Sequence, residues 1–113
     1  MIVLASGETD GQNRLPYLQK GILHQLMQET KGLGVVLEHR FYGKSMPTEN
    51  LSRDNLRFLD TQQALADAAY FANHVVFEGL EWEMLNPDWT SWIVYGGSYA
   101  GSFAVGAHRF LNV

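Results

Sequence analysis

Residues 92–101 read Trp92-Ile93-Val94-Tyr95-Gly96-Gly97-Ser98-Tyr99-Ala100-Gly101. Four apolar, strand-forming residues run into a glycine pair, one serine and a small-residue stretch that continues as a helix. A strand that turns so abruptly into a helix needs small residues two positions before and two after the turning residue, because the backbones pass close together there. Gly96 and Ala100 hold those positions around Ser98, and Gly101 adds slack. The turn aims the Ser98 hydroxyl out of the sheet, at the N-terminus of the next helix. There the free N–H groups stabilise a developing oxyanion, with the Tyr99 N–H as one donor. A plainer reading is a tight glycine turn that packs a helix on a strand. Phosphate binding is a further plain reading, but no Gly-Lys-Ser/Thr follows, so a Walker-type loop is excluded.

Working outward, the same alternation recurs. Ile2-Val3-Leu4-Ala5 is a buried strand that stops at Ser6-Gly7, and Val35-Val36-Leu37-Glu38-His39 is another. Between them Leu15, Leu18, Ile22 and Leu26 recur at spacings of three and four, which predicts one helix from Leu15 to the Gly32/Gly34 break. Arg40 to Leu59 is a long loop. Asp60 with Gln63 three residues later is a capping box, opening a helix with Ala64, Leu65, Ala68, Phe71, Ala72 and Val75 on one side. A second loop carries Gly79, Pro87 and Asp88, and residues 100–111 form the last helix.

The order β-α-β-α-β-α with uniformly apolar strands predicts an α/β fold with a parallel sheet covered on both faces. With right-handed crossovers, helices on both faces require successive connections to step in opposite directions; one arrangement that satisfies this, and the one expected here, places the first strand between the other two. The strands are expected at 2–5, 34–39 and 92–96. The helix after Leu15 should lie on one face, with the Thr61 and Ala100 helices on the other. Both outer strands are then open edges, so the sheet is incomplete and pairing through those edges is expected.

The 113 residues carry a net charge of −4, 18% charged side chains and no Cys. That is one domain with no basic surface for nucleic acid, no disulfide framework and no cysteine nucleophile. No apolar run is long enough for a membrane span, and Met1 to Ala5 is too short and uncharged for a signal peptide. No His pair stands at a metal-ligand spacing with a matching carboxylate, so neither metal nor cofactor is expected. In Ser6-Gly7-Glu8-Thr9-Asp10-Gly11, the Glu8 backbone N–H is a candidate second oxyanion donor, with a polar turn as the plainer reading. The Glu8 and Asp10 carboxylates offer a weak match to a cationic substrate group. His39 reads as a strand-end residue that ties down a loop, and His24 and His74 as surface or helix-end residues. Trp82, Trp89 and Trp92 are expected in the core. Asn50-Leu51-Ser52 is a formal glycosylation sequon.

Three blocks carry a family resemblance: EHRFYGKS at 38–45, LRFLDTQQALADAAYFA at 56–72 and WIVYGGSYAG at 92–101. In order and spacing they resemble the S28 serine peptidases, the lysosomal Pro-X carboxypeptidase and dipeptidyl peptidase II group. The resemblance implies a partial α/β-hydrolase fold, cleavage of peptides beside proline, and a secreted or lysosomal setting. It makes Ser98 the nucleophile and Tyr99 an oxyanion donor. Residues 6–11 depart from the family's glycine-glutamate-glycine form. An esterase or lipase on the same fold is the alternative within enzymes.

The triad order in such hydrolases is Ser, Asp, His. No Asp or Glu follows Ser98, and His108 is the one later His, in a helix leading away. The expectation is therefore a fragment that holds the nucleophile without its base, inactive as it stands. The rival from another class is a non-catalytic module that docks on another chain.

Overall fold

The computed structural model describes residues 1–111. Its sheet has three parallel strands in the order β2-β1-β3: β1 (Ile2–Ala5) at the centre, β2 (Gly34–Leu37) and β3 (Ile93–Tyr95) outside. Ile2 pairs with Gly34 on one side and Ile93 on the other. The strand order and the parallel pairing agree with the sequence reading. β2 ends two residues early because the chain leaves the sheet at Glu38, whose side chain is committed to loop backbone.

Alternation of side chains decides which face each helix covers. Ile2, Leu4 and Val36 point to α2 (Ile22–Thr30), where Leu23, Leu26 and Met27 meet them. Val3, Ala5, Val35 and Leu37 point the other way, to α3 (Thr61–His74) and α4 (Tyr99–Phe110). Small side chains let these helices approach closely: Ala64 and Ala68 of α3 and Ala100 and Ala107 of α4 are all buried around Ala5 and Phe103.

Three local expectations need correction. The helix predicted from Leu15 is two: α1 (Pro16–Gln19) is a single turn, and Gly21, at φ 90°, breaks it from α2. Glycine adopts that backbone without steric cost. The break rotates the apolar face, so Leu23 is buried while Ile22 is 67% exposed. The capping box is half formed. Asp60 accepts from the Gln62 N–H, but Gln63 turns away to accept from Arg40. Of the three tryptophans only Trp92 is core, at 6% exposed against 75% for Trp82 and 72% for Trp89. Trp92 lies beside β3, with its indole N–H on the Leu85 carbonyl at 2.7 Å. The other two ride the loop between α3 and β3, which packs on the core through Phe77 and Leu85 instead.

Candidate active site

The turn between β3 and α4 is built by contact of backbone with backbone. A Cβ on Gly96 would stand 2.2 Å from the Ala100 carbonyl oxygen, and one on Gly101 3.1 Å from the Gly96 oxygen. Gly97 has open space around it. Between them Ser98 takes φ 55° and ψ −126°. A non-glycine residue held there stores strain of order 1–3 kcal/mol, and such strain collects at functional sites. The Ser98 carbonyl already accepts from the Gly101 and Ser102 N–H groups, which starts α4. Its exposed hydroxyl makes no capping bond, so it is not spent on the helix.

The loop after β1 comes to the same place. Gly7, at φ 70°, lies so close to α4 that a Cβ there would be 3.3 Å from the Ala100 Cβ. This contact explains why the residue two beyond Ser98 is small and why Gly7 is bare. Glu8, just beyond, is exposed and lines a cleft of about 230 Å³ with His39, Tyr42, Leu59, Asp60, Thr61 and Tyr99. The structure thus brings Glu8 and Tyr99 to one cleft and sets Gly7 on the turn that carries Ser98. Asp10 is taken up locally, capping the 3₁₀ turn Gly11–Arg14 through the Gln12 N–H.

Two residues with no assigned part in the sequence reading hold the surrounding loops. Glu38 accepts from the Gly11 N–H at 2.7 Å through one oxygen, and from the Lys44 and Ser45 N–H groups and the Ser45 hydroxyl through the other. The Gly11 bond, with the Ser45 and Lys44 bonds, holds this carboxyl below its ordinary pKa against a lesser opposing effect of burial. A Cβ on Gly43, at φ 54°, would overlap the Glu38 carboxylate, which is why that position is glycine. Arg40 makes a bidentate pair with Asp67 and also donates to the Phe58 carbonyl and Gln63. It pins the long loop 41–60 against α3.

The histidines separate clearly. His39 is buried, with Nδ1 2.8 Å from the Arg40 carbonyl and Nε2 2.9 Å from the Tyr99 hydroxyl. It does tie down a loop, as its position suggests, but its second partner lies sixty residues away and no sequence signal announces it. His24 and His74 bond to backbone carbonyls of their own neighbourhoods. His108 is exposed on the last turns of α4, about 15 Å along the axis from Ser98 at 1.5 Å per residue. Among the described residues no three His, Asp or Glu side chains converge as metal ligands would.

A strand, a strained serine and a helix, with a glycine loop from the central strand beside them, is the local architecture of serine hydrolases. The family model for serine carboxypeptidase S28 matches residues 3–110. The chain belongs to the serine carboxypeptidase S28 family. A probable extracellular serine carboxypeptidase of Arthroderma benhamiae is 56% identical over 101 residues, which is 89% of this chain and 14% of the relative. Serine protease vicPb of Bipolaris victoriae is 36% identical over 110 residues, 96% of this chain and 21% of its own. The thymus-specific serine protease of Mus musculus is 47% identical over 76 residues, 66% of this chain and 14% of its own. The S28 segment described here therefore spans roughly a seventh to a fifth of the relatives it matches.

Proposed function

We propose that this S28 segment carries the nucleophile of a serine peptidase, with Ser98 attacking the peptide carbonyl. The single observation behind the reading is the strained Ser98 backbone at the β3–α4 turn, in an exposed residue whose side chain makes no capping bond. In the attack a base takes the Ser98 Oγ proton as the Oγ–C bond forms. The carbonyl oxygen becomes an oxyanion facing the Tyr99 N–H and the Glu8 N–H. Return of the proton to the leaving amine breaks the C–N bond and leaves an acyl-enzyme, which water hydrolyses. By family resemblance the substrate is a peptide with proline at P1, and the setting is extracellular or lysosomal.

We infer that none of the histidines described above serves as that base. Both ring nitrogens of His39 are engaged, and His108 is too far along α4. The 113-residue polypeptide by itself is therefore expected to show no Ser98-dependent turnover. The test is fluorophosphonate labelling of the chain expressed from its complete gene. Labelling that disappears in Ser98→Ala supports the reading; active enzyme that never labels at Ser98 refutes it. A prolyl-peptide panel set against simple esters separates a peptidase from a lipase.

One further observation favours a second reading for the isolated polypeptide. β3 leaves Ile93 and Tyr95 exposed at the sheet edge, beside exposed Val105 of α4. An unpaired apolar edge of this kind recruits another strand. Sedimentation of the 113-residue chain tests it: a monomer would refute pairing.

A further inference from the structure

Next to the turn that carries Ser98 runs a line of side chains whose hydrogen-bond directions follow one from the next once the His39 ring is neutral. Nδ1 of His39 faces the Arg40 carbonyl at 2.8 Å. A carbonyl can only accept, so Nδ1 carries a proton, and in the neutral ring Nε2 keeps its lone pair. Nε2 lies 2.9 Å from the Tyr99 hydroxyl, so the tyrosine donates to it. With its one proton used, the Tyr99 oxygen accepts from Thr61 Oγ1 at 3.1 Å. His39 itself is fixed on every side. Its backbone N–H donates to Ser6 Oγ at 3.2 Å, and its ring meets Tyr42, Tyr99 and Phe103 edge-on at 5.5–5.8 Å between centroids.

Tyr99 is the residue after Ser98, and strain at Ser98 persists only if its surroundings over-determine it. On one side the Gly96–Ala100 backbone contact does so. On the other, the anchor is the Tyr99 side chain, and its buried attachment point is His39. We propose that His39 is a positioning residue for the nucleophile: through the Tyr99 hydroxyl it fixes the Tyr99 N–H and the Ser98 backbone in the reactive geometry. This rests on the reading of Ser98 as nucleophile. His39 lends its Nε2 lone pair to Tyr99, and for that reason does not act as a base.

The test uses the chain expressed from its complete gene, a prolyl-peptide substrate and the variants Ser98→Ala, Tyr99→Phe, His39→Gln and His39→Asn. Tyr99→Phe keeps the ring and removes the hydroxyl, so kcat should fall about tenfold with KM unchanged. The two His39 variants divide the ring's roles. Gln reaches the Nε2 position with an acceptor and should retain most of kcat. Asn keeps only the Nδ1-like donor to Arg40 and should fall as Tyr99→Phe does. A purely structural role would lower the melting temperature of both alike and spare kcat. Turnover abolished by Ser98→Ala but untouched by Tyr99→Phe and His39→Asn overturns this inference and leaves the nucleophile standing. Turnover that survives Ser98→Ala overturns the nucleophile instead. On the same preparation, ¹⁵N shifts of the His39 ring read the tautomer with or without turnover. A neutral, Nδ1-protonated ring that shifts in Tyr99→Phe supports the proposal; an Nε2-protonated ring refutes it.

Discussion

Replacing Gly96 by alanine tests the geometry of the turn directly. The added methyl would meet the Ala100 carbonyl oxygen at 2.2 Å, its carbon at 2.4 Å and the Gly101 nitrogen at 2.9 Å. Ordinary contact begins near 3.4 Å, so the first turn of α4 must retreat by about 1 Å. It has little room to do so. Ala100, Phe103 and Ala107 are buried against β1 and α3, and the Tyr99 hydroxyl is tied to His39 and Thr61. Overpacking costs about 1–3 kcal/mol, and with backbone on both sides of the clash the upper end applies. For a chain of this size that lowers Tm by on the order of 10 °C. Gly97→Ala is the control: nothing lies within 4 Å of its Cβ, and its backbone is not left-handed. Its Tm should stay level or rise slightly, because alanine restricts the unfolded chain. Thermal melts of the two variants beside the parent, with fluorophosphonate labelling of each, make the comparison. A Gly96→Ala protein that melts within about 2 °C of the parent, or a Gly97→Ala protein equally damaged, would refute the close-contact account.

Ser98→Gly should abolish labelling yet raise Tm by a few degrees, since glycine relieves about 1–2 kcal/mol of backbone strain; Ser98→Ala should abolish labelling without the rise. The Glu38 carboxyl titrates below its ordinary value of 4.5, so its hold on Gly11, Lys44 and Ser45 is complete above that pH and is lost as pH falls through its lower folded value. Proteolysis of the loop after Phe41 should accordingly quicken on acidification below 4.5 in the parent, and be fast at neutral pH in Glu38→Ala. Arg40→Lys should cost about 1–2 kcal/mol in a denaturant titration, from the lost Phe58 and Gln63 bonds. Asp67→Asn should cost less than about 1 kcal/mol, because that carboxylate is half exposed.

The sequence alone determined the elements whose signal is local. Uniformly apolar runs bounded by glycine marked the three strands, and alternating elements with right-handed crossovers allowed an order with β1 in the middle, which is the one observed. The spacing of small residues around Ser98 announced the turn, because close backbone approach must be written as missing side chains. It did not determine where helices break or which aromatic rings are covered. Gly21 ends one helix and starts another, and Trp82 and Trp89 look like core residues until their loop is seen to pack through Phe77 and Leu85 and leave both indoles exposed. Only the tertiary structure decided the support around the turn. Glu38 binds the Gly11 loop across 27 residues, and His39 meets Tyr99 across 60. Such contacts arise because β2 and β3 flank the same central strand and end on the same side of the sheet. A glycine turn is encoded at its own position; a hydrogen bond between two strand ends is encoded only by the fold that brings them together.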